Sequence, residues 1–286
     1  MALPTDVFEL ADSIPRSSFT KVNIAGFFVY LYGIDELTPD QAKDTTVFIH
    51  VHGRTRTYKD AEEMAHELLH QQRARGGTKK GLVVATLDNR NHGIRAIDTM
   101  SIQDWKGGNP KHAQDMLSMM KGIELDVKTM MDFLEAYFDG IFTPTEYIMT
   151  GTSLGGHVTW DVLAEDPRIS KAIIIVGSTD LTSMLVERLG GYSSVSEVPT
   201  GTPEWPKSIE RLYVERDKRL REIKGKKILI LNGDIDPLVP SKFTRPWLDQ
   251  CAASNEVAFV EQEGFGHGVS YQMMDSVADW VLKVLV

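Results

Sequence analysis

Tyr147–Ile148–Met149–Thr150–Gly151–Thr152–Ser153–Leu154–Gly155–Gly156 is the stretch on which the reading of this sequence turns. An apolar run, Tyr147–Thr150, reads as a strand and ends in G-x-S-x-G, and Leu154–Ala164 reads as a helix. Average glycine and serine usage would place that pattern by chance only ~0.1 times in a chain of this length. Its setting says more than its rarity, because strand, sharp turn and helix together form the context of a nucleophile elbow. The glycines have a steric reason: the serine sits on a strained turn, and side chains two residues to either side would meet neighbouring backbone. The N-terminus of the helix then turns its free N–H groups toward developing negative charge.

Outward from the elbow, short apolar runs alternate with amphipathic stretches. Phe27–Tyr32, Val47–Val51, Leu82–Leu87, Ala172–Val176, Lys227–Leu231 and Val257–Val260 read as further strands. Leu82–Leu87 is continuously apolar, as a strand buried on both faces of a parallel sheet should be. Asp60–Gln71, a long stretch from His112 to Phe138, a segment near Lys242–Cys251 and Tyr271–Val284 read as helices. This alternation predicts an α/β fold with a doubly wound, mostly parallel sheet. Phe27–Tyr32 and Val47–Val51, with no helix between them, predict an antiparallel edge hairpin. After Gly177 the alternation breaks. Asp180 to about Lys224 carries Gly190–Gly191, then Pro199, Pro203 and Pro206, then a charged helix from about Ser208 to Ile223. The expected organisation is one domain over 1–286 with a cap inserted at about 180–224, too small to be an independent unit. Lying between a core strand and the strand that delivers an acid, the insertion is expected above the carboxyl edge of the sheet, with Leu185 and Trp205 shaping a substrate pocket.

Bulk properties narrow the partners. With 42% hydrophobic and 25% charged residues the chain can bury a large core without disulfides or metals. Its one cysteine, Cys251, excludes an intramolecular disulfide and fits a reducing compartment. A net charge of −9 with only short basic groups argues against nucleic-acid and anionic-membrane partners. Met1–Asp6 lacks the pattern of a targeting segment, and no stretch approaches the ~20 apolar residues of a membrane span. A cytoplasmic protein acting on a small molecule, without a cofactor, is the expectation.

A serine hydroxyl is a weak nucleophile and needs a base. After an elbow of this kind the partners follow in the order acid, then histidine. Only His157 and His267 follow Ser153. His157 is too close along the helix to reach back and reads as a packing or capping residue. His267, in Gly264–Phe265–Gly266–His267–Gly268, sits on a loop between the strand Val257–Val260 and the helix Tyr271–Val284, where a base can hang over the sheet edge. The acid comes from Gly233–Asp234–Ile235–Asp236–Pro237: Asp236 is preferred because Pro237 and Pro240 stiffen the turn. Asp234 is second and Asp180 third. The oxyanion donors are the backbone N–H groups of Leu154 and of Arg54, in the turn His52–Gly53–Arg54. His50 and His52 face one side of a strand, but no third ligand follows at a useful spacing, so no metal is assigned.

The elbow, the His-Gly turn, the G-x-x-D-x-x-V-P segment and the G-H-G loop resemble the α/β-hydrolase superfamily, over about Phe27 to Val286. Asp88–Asn89–Arg90–Asn91–His92–Gly93 is similar to the D-x-R-G-H-G turn of these enzymes, with Asn91 in place of glycine and His92 in a structural role. Within the superfamily the short insertion is similar to that of compact carboxylesterase-like enzymes. The resemblance implies a serine hydrolase that cleaves a small soluble carboxylic ester through an acyl-enzyme. A thioester or amide hydrolase with the same triad, and a non-catalytic binding protein of this fold, are the alternatives.

Overall fold

The structure, a computed structural model, describes residues 7–285; Met1–Asp6 and Val286 lie outside the described residues. Six strands, β3 (Thr45–Val51), β4 (Gly81–Leu87), β5 (Pro144–Thr152), β6 (Ile169–Ile175), β7 (Lys227–Gly233) and β8 (Glu256–Gln262), run parallel. Antiparallel β1 (Phe19–Ile24) and β2 (Phe27–Tyr32) complete one edge, giving the order β1-β2-β4-β3-β5-β6-β7-β8. Helices α1 (Pro39–Lys43), α2 (Tyr58–Ala74), α3 (His112–Tyr137), α4 (Leu154–Glu165), α5 (Leu181–Gly190), α6 (Lys207–Leu220), α7 (Arg245–Cys251) and α8 (Tyr271–Val284) complete the element order.

Every residue of β3 and β4 is buried, and their side chains part by strand alternation. Val47, Ile49 and Val51 enter one apolar layer with Ile123 and Val127 of α3 and Val158 of α4. Phe48 enters the opposite layer with Met64 and Leu68 of α2 and Val277 and Val281 of α8. Burying one such side chain contributes roughly 1.5–3 kcal/mol, so these two layers, rather than any single polar contact, hold the sheet. No helix among the described residues is long and apolar enough to cross a membrane.

The edge hairpin differs from the sequence expectation. It is formed by β1 and β2, joined at Ala25–Gly26 with φ values of 49° and 87°, while Val47–Val51 lies in the middle of the sheet, parallel to both β4 and β5. β1 alternates exposed and half-buried residues, so it lacks the apolar run by which the inner strands announce themselves. The insertion also holds a helix that the sequence pattern did not predict, α5, capped at its start by the Asp180 side chain on the Ser183 N–H (2.8 Å) and closed by Gly191 at φ 72°. The Gly190–Gly191 pair is therefore a helix end.

The strand order places the site. From β3 the chain crosses to β4 on one side, and from β4 it crosses back to β5 on the other, so the carboxyl ends of β3 and β5 flank the crevice where open α/β sheets bind ligands. There the first turn of α4 presses against the end of β3: a Cβ on Gly155 would overlap the Val51 carbonyl oxygen, and one on Gly151 would overlap the Gly155 backbone. Gly155→Ala is expected to lower stability by about 3 kcal/mol or more, since the obstacle is backbone rather than a movable side chain. Chemical denaturation of the variant checks this, with a wild-type midpoint as the contrary result.

Candidate active site

Ser153 stands between β5 and α4 with φ 57° and ψ −112°, one of the few non-glycine residues here at positive φ. Two backbone hydrogen bonds hold it there: its N–H donates to the Ile175 carbonyl (2.9 Å), and its own carbonyl accepts from the His157 N–H (3.0 Å). His267 arrives on the loop between β8 and α8, and Asp236 on the loop after β7. His267 Nε2 lies 2.9 Å from Ser153 Oγ, and His267 Nδ1 lies 2.8 Å from Asp236 Oδ2. The structure thus brings the three residues together in one chain of hydrogen bonds.

Asp236 is buried, and its other oxygen accepts the backbone N–H groups of Leu238 (2.8 Å) and Val239 (2.9 Å). Burial pushes its carboxyl group up, but the hydrogen bond and charge of His267 and these two N–H donors outweigh that and hold it below the usual carboxylate range. An ionised Asp236 can only accept, so His267 carries its proton on Nδ1 and leaves Nε2 free to accept from Ser153 Oγ–H. The other two acids lie elsewhere. Asp234 accepts the Phe265 N–H (3.3 Å) and so ties the two loops together, while Asp180 caps α5.

Arg54 and Leu154 line a small chamber of about 40 Å³ together with Ser153, His157, Arg188 and His267. Neither the Arg54 nor the Leu154 backbone N–H donates to another group among the described residues. A Cβ on Gly53 would come within 3.5 Å of the Ser153 Cβ, so the turn after β3 lies directly against the serine. His52 fixes that turn. Burial pushes its ring down to about 3, and the neutral ring donates from Nδ1 to the Gly53 carbonyl (2.8 Å) and accepts the Asn89 N–H on Nε2 (3.0 Å). Asn89 belongs to the Asp88–Gly93 turn, in which Asn91 takes φ 62° and accepts the Ile97 and Asp98 N–H groups (2.8 Å each). Asparagine tolerates this left-handed conformation, so it serves where glycine would be usual. His92 is buried, its Nδ1 2.9 Å from the Arg90 carbonyl, with its ring edge-on to His52.

A larger cavity of about 160 Å³ opens on the other side of Ser153, walled by Phe8, His50, Met64, Thr152 and Val269. Burial pushes His50 down to about 4. His157 accepts the Ser178 N–H on Nδ1 (3.0 Å), and burial followed by the charges of Arg216 and Arg188 holds it well below the ordinary histidine value. It is a packing residue, as its place on the helix suggested.

Leu185 and Trp205 are corrected by their placement. Both are at most 2% exposed and belong to the apolar core, Trp205 stacked on Tyr213, and neither lines the cavities at Ser153. The segment reaches the site through Arg188 instead. Sequence reasoning missed it, although Leu181, Met184, Leu185 and Arg188 make an i, i+3, i+4, i+7 stripe whose fourth member is charged. Phe8 was also missed; it precedes the first strand, and packing in the layer with Met64 and an edge-on contact with Tyr271 (centroids 4.9 Å apart) place it.

No family model matches the sequence, and no curated protein matches it. Solved structures do match it in fold. TT1662 from Thermus thermophilus superposes with a TM-score of 0.65 at 17% identity, over 95% of this chain and 99% of its own. The Pyrococcus furiosus esterase Pf2001 matches with a TM-score of 0.60 at 15% identity over 94% of each chain. Est1E from Butyrivibrio proteoclasticus, solved with ferulic acid bound, matches with a TM-score of 0.60 at 16% identity, over 93% of this chain and 97% of its own. Sheet order, elbow and these superpositions agree: the chain has the α/β-hydrolase fold.

Proposed function

We propose that this chain hydrolyses small soluble carboxylic esters by acyl transfer to Ser153. The observation that carries this reading is the unbroken relay from Ser153 Oγ through His267 to a buried Asp236, at 2.9 and 2.8 Å. His267 Nε2 takes the hydroxyl proton as Oγ bonds to the ester carbonyl carbon, and Asp236 steadies the imidazolium that forms. The carbonyl oxygen becomes an oxyanion, received by the N–H groups of Arg54 and Leu154. As the carbon–oxygen bond to the alcohol breaks, His267 returns the proton to the leaving oxygen. A water then repeats the sequence, its proton going to His267 and its oxygen to the acyl carbon, and Ser153 is released. The solved Pyrococcus furiosus esterase named above supports the choice of ester chemistry by its likeness in fold.

A fluorophosphonate probe should label the wild-type protein stoichiometrically at Ser153 and leave Ser153→Ala unlabelled. On any ester that is turned over, Ser153→Ala should lower kcat by about 10⁴–10⁶, because residues of such a relay act as a unit. Failure of the probe to react would remove the hydrolase reading.

Asp236→Asn, compared with Asp234→Asn on one ester, tests the acid. The first should lower kcat by about 10⁴, since an amide supports the wrong imidazole tautomer. The second should remain within about tenfold of wild type, its one affected contact being the hydrogen bond from the Phe265 N–H, which an amide oxygen can still accept. The reverse order, in folded proteins, would reassign the acid to Asp234.

A further inference from the structure

Arg188 is placed as few arginines are. Arg188 lines the chamber with Ser153, Leu154 and His267, and its guanidinium donates one hydrogen bond, to the Leu238 carbonyl. Among the described residues no carboxylate lies within ion-pair distance of it. Arg54 lines the same chamber, and its guanidinium is close enough for its charge to act on Arg188. Arg54 donates to the Ile102 carbonyl (2.6 Å) and meets Asp104 only at 3.8 Å. Burial, and then the charge of Arg54, push Arg188 down to about 10, while Asp104, Tyr213 and Asp236 act in the opposite sense. It stays a cation at neutral pH. Half-buried cations that repel each other, one of them with no carboxylate within ion-pair distance, are costly. An anion between them would offset that cost with charge-assisted hydrogen bonds from donors already held in place.

The chamber also holds both proposed oxyanion donors. With the carbonyl oxygen at those donors and the leaving oxygen facing His267 Nε2, the acyl substituent is free to take the Arg188 side of the chamber. A volume of about 40 Å³ leaves room for a short chain only. The chain as a whole carries a net charge of −9, so its long-range field repels anions, and affinity for one has to come from local groups such as these. We propose that Arg188, with Arg54, forms an anion subsite, and that the preferred substrates are esters whose short acyl part ends in a carboxylate, that is, half-esters of small dicarboxylic acids. This inference rests on the esterase reading for its chemistry, though not for the binding it predicts.

The test compares monomethyl succinate with methyl butyrate, which differ in a terminal carboxylate against a methyl group. Hydrolysis is followed by proton release. Wild-type kcat/KM should favour the half-ester by tenfold or more, and Arg188→Gln should lower that ratio by about tenfold or more. Arg188→Lys should retain part of the preference, because it keeps the charge and loses the fork of donors. If Arg188 serves only to tether the loop after β7 through the Leu238 carbonyl, Arg188→Gln slows both esters alike and the ratio stays put. That result overturns the proposal, as does a wild-type ratio of one or less. Calorimetric titration of Ser153→Ala with the same two esters separates this inference from the reading beneath it. Tighter binding of the half-ester without turnover of either ester by the wild type would sustain the subsite and refute the esterase. Equal binding of the two esters would refute the subsite whatever the turnover.

Discussion

The close contact between the first turn of α4 and the end of β3 is the constraint on which this molecule depends. Because Gly155 lies against the Val51 carbonyl, the helix begins abruptly, and the residue before it is forced to positive φ. That conformation costs Ser153 roughly 1–3 kcal/mol. Two hydrogen bonds, to the Ile175 carbonyl and from the His157 N–H, each return roughly 0.5–1.5 kcal/mol and fix the serine above the sheet. The same contact brings the turn at Gly53–Arg54 beside the serine, so the candidate nucleophile and candidate oxyanion donors are set by one packing event. Asp236 and His267 then need only reach over the neighbouring strand ends.

Electrostatics around the serine are simpler than the number of titratable groups suggests. His50, His52 and His157 surround it, yet burial pushes all three below the ordinary histidine range and keeps them neutral near pH 7. They act as fixed dipoles and hydrogen-bond partners. The permanent positive charge in the chamber comes from Arg54 and Arg188, against a protein that is acidic as a whole. Partial burial magnifies such an imbalance, because the local dielectric is lower than that of bulk water.

Much of this was legible in the sequence because parallel strands buried on both faces cannot hide: β3 through β7 appear as apolar runs, and the elbow glycines are demanded by backbone contacts that no other residue permits. His267 and Asp236 could be found by chain order and by the prolines that stiffen the acid turn. What stayed hidden has a common cause. β1 is an edge strand with one face in water, so its apolar signal is diluted by half. Leu185 and Trp205 looked free because the insertion has no sheet of its own, whereas in fact they pack into the core layer beside α6. Arg188 escaped because a charge on a helix reads as solvent-facing until the neighbouring apolar positions show which way it points.

The relay from Ser153 to His267 spans 114 residues of chain, and that from Asp236 to His267 spans 31. During synthesis the elbow emerges and can close on β3 long before β7 and β8 exist. Until β7 and β8 are made, Ser153 has no base beside it and β6 has an unpaired edge. Such an edge is a template for pairing with another chain until the next strand covers it. The candidate relay therefore closes only after β7 has covered the edge of β6, and β8 that of β7.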